Sequence, residues 1–267
     1  LVAFEVNPEQ IDEAVSILNA HPGISHNYER NHAFNIWFTI AVAPNSKLGL
    51  EKTVEILASQ TKAKNYLILP TLKLFKISVK LDTTNSLSQK EHIATKTYND
   101  LTLNESHYAL IKHLQKDISL VEEPFKAMID ELNISYETLF AHIQEFLDAG
   151  VIRRYASILN HRNAGFNANA MVVWDINEEN AQTIGKEAAS YSAVSHCYLR
   201  PKYENWQYNL FTMIHGKTKE ETQSVIDNIA NSIEHASYMP LYSSREFKKA
   251  RIDYFSEAFY AWEKNHL

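Results

Sequence analysis

A single cysteine, Cys197, among 267 residues excludes an internal disulfide framework and any zinc or iron–sulfur site built wholly from cysteines of one chain. That scarcity fits a reducing compartment, and a cytoplasmic protein is expected. No apolar run approaches the roughly 18 residues needed for a helix to span a bilayer, so no membrane association is expected. Positive charge is also short: 26 Lys plus Arg against 32 Asp plus Glu leave a net −6. No overall field therefore recommends the chain to nucleic acid. The chain opens LVAFEVNPEQ, without an initiator Met or a charged stretch ahead of an apolar one. No secretion signal is legible, and residues upstream are expected. What the chain does hold is rings: 12 His, 14 Tyr, 12 Phe and 4 Trp.

The length suggests roughly two structural units, and an internal repeat organises them. HNYERNHAFNIWFT at His26 to Thr39 matches HCYLRPKYENWQYNLFT at His196 to Thr212, with His26, Tyr28 and Arg30 aligning to His196, Tyr198 and Arg200. Beyond an insertion in the second copy, Phe34, Asn35, Ile36 and Trp37 match Tyr208, Asn209, Leu210 and Phe211. Around the first copy the periodicities predict a strand over 1–6, a helix from Pro8 to Leu18, a hairpin over 24–30 and 33–42, a helix over 48–59 and a strand over 66–78. Around the second they predict a strand over 169–175, a helix over 178–190, strands over 194–200 and 207–215, a helix over 219–233 and a strand over 237–243. The order β-α-β-β-α-β in both is the ferredoxin-like pattern.

Between the copies, the polar segment DTTNSLSQKEH reads as a linker. Three short helices follow, over 108–115, 124–132 and 136–147, with Ser135 as an N-cap and Gly150 as a stop. VIRRYASIL at 151–159 reads as a wing strand. The expected class is α+β: two ferredoxin-like modules with an intervening winged helix-turn-helix. The boundaries are 1–80, a linker over 81–105, a winged helix-turn-helix over 106–160, a second module over 161–245 and a tail over 246–267. The tail, aromatic-rich and amphipathic, is expected to pack on its own domain or a partner subunit.

A helix-turn-helix followed by a ferredoxin-like unit resembles Lrp/AsnC transcription regulators, a resemblance covering about 106–243. Charge opposes DNA binding: within 106–150, Lys112, Lys116 and Lys126 face Asp117, Glu122, Glu123, Asp130, Glu131, Glu137, Glu145 and Asp148. The third helix offers Glu137, Glu145 and Asp148 and no cation to neutralise phosphates. Only Arg153 and Arg154 on the wing argue the other way. No DNA partner is expected.

In a strand, alternate side chains share a face, so His26, Tyr28 and Arg30 project together, as do His196, Tyr198 and Arg200. Histidine ligates metals or moves protons near neutral pH, tyrosine donates a hydrogen bond, and arginine grips a carboxylate. This combination suits a carboxylate-bearing ligand, whereas a solvated sheet face is the plain alternative. Asn35, Trp37 and His32 beside the first row, and Lys202, Trp206 and Asn209 beside the second, are candidate substrate contacts; ordinary core packing competes for the aromatic ones. His161, with Arg162, is a secondary candidate for contacts with acidic arms. Cys197 reads as a small buried hydrophobe. His92, His107, His113, His142 and His235 show no paired ligand spacing and read as surface or satisfied residues.

The string HNYERNHAFNIWFT, together with AGVIRRYASILNHRNAGFNANAMVVW and HCYLRPKYENWQYNLFTMIHG in that order, resembles the siroheme decarboxylases, which adapt the Lrp/AsnC architecture to tetrapyrrole chemistry. The resemblance covers nearly the whole chain. It implies removal of the C12 and C18 acetate carboxyls of sirohaem as carbon dioxide to give 12,18-didecarboxysirohaem. It implies no cofactor beyond that iron tetrapyrrole; an Lrp/AsnC-type transcription regulator sensing haem or an amino acid, or a tetrapyrrole carrier without turnover, is the alternative. Both halves on one polypeptide resemble the fused form of haem d1 biosynthesis rather than the separate subunits of the alternative haem pathway. A homodimer, or a pseudo-dimer of fused halves with possible related subunits, is implied. Each half of the family normally carries its own helix-turn-helix, yet here the first ferredoxin-like strand opens the chain. The two rows fall on the family's functional strand and carry over as catalytic candidates, with His26 or His196 as a candidate axial ligand of the sirohaem iron. Which histidine binds iron and which moves a proton stays open.

Overall fold

The computed structural model describes residues 1–77, 90, 98–152 and 168–267. In the first half, β1 (Val2–Glu5) leads through a tight turn opened by Pro8 into α1 (Ile11–Ala20), which buries Ile11, Ala14, Val15 and Leu18. That three-and-four spacing puts one apolar stripe against the sheet. The turn into β2 (Ile24–Arg30) needs Gly23, because a Cβ there would sit 2.3 Å from the Ala41 carbonyl oxygen. β3 (Ile36–Ile40) and α2 (Gly49–Gln60) follow.

The single strand expected over 66–78 is two: β4 (Asn65–Ile68) and β5 (Lys73–Ile77). Pro70, which has no N–H to give a ladder, stands between them. The Leu69 N–H still bonds Leu1 O in the first half, but the Leu72 N–H bonds Leu199 O in the second. β5 thus leaves its own module and pairs antiparallel with β7 (Val194–Leu199).

The second half contains β6 (Ala168–Asp175), α6 (Ala181–Ser190), β7, β8 (Leu210–Gly216), α7 (Lys219–Ser232) and β9 (Ser237–Lys249). β9 runs past its expected end at 243. It pairs with β6 from Ser237 to Tyr242 and then with β2 from Ser243 to Lys249. A module boundary at 245 would cut this strand. Each half therefore lends its last strand to the other, and among the described residues nine strands join in the order β4-β1-β3-β2-β9-β6-β8-β7-β5. The two halves pair within one chain.

Three cores result. Phe4, Leu18, Phe38 and Leu57 fill the helix side of the first half, and Trp174, Val194, Ile226 and Ile229 that of the second. Between the halves, Ala3, Trp37, Leu67 and Leu69 meet Met171, Val173, Trp206, Phe211 and Leu241. Strand β6 is covered on both faces, so its run Ala-Met-Val-Val-Trp shows no polar alternation. Each large side chain in this shared core contributes roughly 1.5–3 kcal/mol.

The intervening helices are α3 (Glu105–Leu114), α4 (Lys126–Leu132) and α5 (Tyr136–Asp148), packed around Leu110, Leu139 and Phe146. Ser135 caps α5 by accepting from the Thr138 N–H, as the sequence predicts. The expected wing beyond 152 and most of the linker lie outside the described residues. The tail forms α8 (Glu257–Lys264), and it packs on the first half rather than on its own module. Trp262 meets the His21 ring edge-on at 4.3 Å between centroids, and Glu263 accepts from the Leu48 N–H at 3.1 Å. No helix among the described residues is long and apolar enough to cross a membrane.

Candidate active site

The two rows lie on β2 and β7, and both strands carry a bulge just before the histidine: the register shifts between Ile24 and His26 and between Val194 and His196. His26, Tyr28 and Arg30 share the face turned from the helices, and His196, Tyr198 and Arg200 do the same. In each row the arginine is the deep end, at 6% and 7% exposure, while histidine and tyrosine are half-buried. The His–Tyr ring centroids stand 6.2 Å apart in both rows, and each guanidinium lies by its tyrosine ring, at 5.7 Å from Tyr28 and 4.8 Å from Tyr198.

The arginines have a structural partner that the sequence did not disclose. Arg30 Nη1 donates to Leu241 O on β9 at 2.7 Å and Arg200 Nη1 to Leu69 O, on the link between β4 and β5, at 2.5 Å, so each reaches backbone of the opposite half. Burial lowers both to about 10, which leaves them cationic at neutral pH. Nε of each is buried without a partner among the described residues, so that edge retains its capacity for an anion. His26 is held below the ordinary histidine range, first by burial and then by Lys249, with Glu246 acting the other way.

Several expected substrate contacts prove to be committed elsewhere. Asn35 accepts from the Val6 N–H at 3.0 Å and donates to Val6 O at 2.8 Å; Asn209 holds Ile176 in the same way at 3.0 and 3.1 Å. Both amides are latches that end a hairpin, with both ends occupied. Trp37 and Trp206 are buried in the shared core, so neither offers a face to a ligand; Trp37 Nε1 donates to Phe34 O. Lys202 pairs with Asp175 at 2.5 Å. His32 accepts from the Phe34 N–H at 3.0 Å and meets Trp206 edge-on. His161 lies outside the described residues.

The walls of the two rows differ. Across from His26 and Tyr28 stand Lys249 and Glu246 of β9, whereas across from His196 and Tyr198 stand Ile77 and Leu74 of β5. Directly opposed residues share a face, and Ile77 and Leu74 are 39% and 44% exposed. Among the described residues, an apolar strip thus borders the second row and not the first.

Behind the histidines lie groups that the sequence reading missed. In the second half Ser195 Oγ lies 2.7 Å from His196 Nδ1 and 2.6 Å from His215 Nε2, and His215 Nδ1 lies 2.8 Å from Asn169 Oδ1. In the first half Ser25 Oγ lies 2.9 Å from His26 Nδ1 and 2.7 Å from Thr39 Oγ1. The repeated Ser-His dipeptide was the available signal, but period-two alternation assigns that serine to the opposite face; the bulge overturns it.

Elsewhere, Cys197 is buried with its thiol pushed up by burial, as a small core residue would be. His107, His142 and Glu145, unpaired in the sequence, meet across α3 and α5 within 4.8 Å. His107 Nδ1 accepts from the Asn104 N–H at 3.4 Å in the α3 capping box, and its Nε2 lies 3.7 Å from Glu145 Oε2, so the cluster ties α3 to α5. Lys112 and the acidic α5 leave the trihelix without a cationic reading face among the described residues.

Comparison with known proteins agrees with this architecture. A family model described as "AsnC-like ligand binding domain" matches residues 1–76 and 163–248, and one described as "Siroheme decarboxylase NirDL-like HTH domain" matches 108–153. A siroheme decarboxylase of Hydrogenobacter thermophilus is 42% identical over 99% of this chain and 78% of its own length. A siroheme decarboxylase beta subunit of Methanosarcina barkeri is 37% identical over 56% of this chain and 99% of its own. The crystal structure of the siroheme decarboxylase NirDL in complex with an iron-uroporphyrin III analogue superposes with a TM-score of 0.75 at 35% identity, covering 99% of this chain and 76% of that one. With its whole length matched at this identity, and with both AsnC-like modules and the helical insert accounted for, the chain belongs to the siroheme decarboxylase family of enzymes.

Proposed function

We propose that this chain is a carboxy-lyase that removes the C12 and C18 acetate carboxyls of sirohaem, giving 12,18-didecarboxysirohaem and carbon dioxide on the route to haem d1 or haem. The observation that supports this most directly is the row His196, Tyr198 and Arg200 lying beside the exposed apolar strip of Leu74 and Ile77. A macrocycle is flat and apolar on its faces and anionic at its rim. The strip suits the face, and the buried cation suits the rim.

Loss of carbon dioxide leaves an electron pair on the methylene next to a pyrrole, and the macrocycle of the substrate can delocalise it. The reading therefore calls for no cofactor beyond the iron tetrapyrrole. A proton must then reach that carbon to complete a methyl group. The half-buried His and Tyr of each row are the proposed acids, and Arg30 and Arg200, through Nε, are the proposed holders of a carboxylate; positioning and general acid catalysis each contribute on the order of 10²-fold or more. A neutral imidazole in either row, His26 or His196, also has a nitrogen lone pair with which to meet the sirohaem iron.

The test is anaerobic incubation of the purified chain with sirohaem, followed by mass spectrometry of the extracted tetrapyrrole. Loss of two carbon dioxide units is expected. Bound sirohaem recovered unaltered would overturn the reading in favour of a carrier.

A further inference from the structure

We propose that the trihelix carries a binding site for a divalent transition-metal ion of the zinc class, held by His107 of α3 and by His142 and Glu145 of α5. None of the three residues belongs to the sheet or to either row, so the site stands whether or not sirohaem is the substrate. His142 and Glu145 are three residues apart on α5 and project from one helix face, with His142 Nδ1 3.1 Å from Glu145 Oε2. His107 arrives from α3, its Nε2 3.7 Å from the same carboxylate oxygen. The three ligand atoms lie within 4.8 Å of one another, the one such convergence of His, Cys, Asp or Glu among the described residues.

The packing around the cluster holds both rings near the geometry an ion needs. Phe146, fully buried, meets the His107 ring edge-on at 5.3 Å and stacks on His142 at 6.2 Å, and the two imidazole centroids stand 5.1 Å apart. Bonds of about 2.0–2.2 Å to imidazole and carboxylate put tetrahedral donors roughly 3.3–3.5 Å from one another. The two separations from Glu145, 3.1 and 3.7 Å, already bracket that value, and rotation of the part-exposed His142 closes the remaining pair. Coordination through Nε2 asks the neutral His107 ring to carry its proton on Nδ1. That gives up the contact from the Asn104 N–H, at 3.4 Å the longer bond of the capping box, while the Asn104 side chain goes on accepting from the His107 N–H at 3.0 Å.

The donor set selects the class of ion. Mg²⁺ and Ca²⁺ take shells of oxygen, whereas two imidazoles with one carboxylate suit Zn²⁺ and its first-row neighbours. Three protein ligands leave a position for water, and the surroundings supply an approach for the ion. Glu145 also lines a cleft of about 440 Å³ together with Asn99, Asp100, Gln144 and Asp148. The described lining of that cleft holds three carboxylates and no cationic side chain, so its field draws a divalent cation toward the carboxylate that binds it. Because the ligands come from two helices, an ion bound there favours the folded trihelix over any state in which α3 and α5 separate.

The experiment uses the full chain, stripped of metal by dialysis against a chelator and kept free of sirohaem. It is titrated with Co²⁺, followed by visible absorbance, and with Zn²⁺, followed by competition with a chromophoric chelator. Wild type is compared with His142→Asn and Glu145→Gln, both at part-exposed or exposed positions, with circular dichroism as the check on folding. Other histidines also take up these ions, so the readout is a difference. Each variant is expected to lose one equivalent of Co²⁺ and of Zn²⁺ per chain, with binding at the site weaker by at least about 10²-fold, no less than the loss of an outer-shell partner costs. Variants that bind as many equivalents as the wild type overturn the site. The wild type also decides by itself: no visible band on adding Co²⁺ overturns the proposal, and so does displacement of Co²⁺ by a large excess of Mg²⁺, because the charge of the cleft and not the imidazoles would then be holding the ion.

Discussion

His21 provides a pH-dependent hold on the C-terminal helix whose size can be worked out. Its ring is 0% exposed, its Nδ1 accepts from the Gly23 N–H at 3.0 Å, and its Nε2 is buried with no partner among the described residues. Phe259 and Trp262 of α8 close over it. Burial, then the nearby Lys248 and His266, lowers it from 6.5 to about 4. Above about pH 6.5 the ring is neutral folded or unfolded and contributes no pH dependence. Below that, the unfolded chain takes up a proton that the folded chain refuses, so stability falls as pH falls, levelling off near pH 4. At about 1.36 kcal/mol per unit, the full loss is on the order of 3 kcal/mol, and about 2 kcal/mol of it arrives between about pH 7.5 and about pH 5. For a chain of this size that is a drop in Tm of roughly 4–8 °C. Other groups titrate in the same window, so the measurement is a difference: thermal unfolding by circular dichroism for wild type and His21→Asn, each at both pH values. Asparagine can still accept from the Gly23 N–H but does not titrate. The wild type should lose about 2 kcal/mol more than the variant on acidification. Parallel losses in the two proteins would refute the reasoning, as they would show that the buried ring is not refusing the proton.

Two further outcomes follow from the same structure. Asn209→Ala removes both bonds to Ile176 and strands a buried N–H and carbonyl, so it should lower stability by roughly 2–4 kcal/mol in urea unfolding while the folded variant keeps sirohaem affinity within about threefold; a large loss of affinity at full stability would restore it as a ligand contact. Cys197, buried and with its thiol pushed up, should resist iodoacetamide in the native protein and react on unfolding in urea, read by mass spectrometry; rapid alkylation of the native chain would show that the β7 face opens.

Where sequence and structure part company, the cause is long-range pairing. The β-α-β-β-α-β order was readable twice because each element carries its own periodicity, from Ile11, Ala14, Val15 and Leu18 in α1 to the capped start of α5 at Ser135. The exchange of last strands was not. Alternation says which face of residues 73–77 or 243–249 is apolar, but nothing local says that the adjoining strand belongs to the other half. The crossover at Pro70 reads as a mere kink until Leu72 is seen bonded to Leu199. The same exchange explains the arginines. Repetition and charge single out Arg30 and Arg200 as carboxylate clamps, yet each also holds backbone of the opposite half, Arg30 at Leu241 of β9 and Arg200 at Leu69 just before the crossover to β5. Asn35 and Asn209 show a related effect, since a repeated polar residue beside a candidate site can be repeated because both hairpins carry the same latch.

Repetition marks what both halves need in order to fold and to hold a His–Tyr row, so by itself it cannot say which row acts. Any division of labour must lie in what is not repeated, and those differences cluster on one side. His215 against Ala41, Leu74 and Ile77 against Glu246 and Lys249, and an imidazole against a hydroxyl behind the catalytic candidate all distinguish the second row from the first. His215 lies beyond the two strings that match each other in the repeat, so the repeat does not point to it. A bulge, invisible in the alternation, then turns Ser195 from a core-facing hydroxyl into a bridge between two imidazoles. With the same serine and the same bulge in both halves, a single histidine on β8 where the first half has Ala41 makes the surroundings of His196 unlike those of His26.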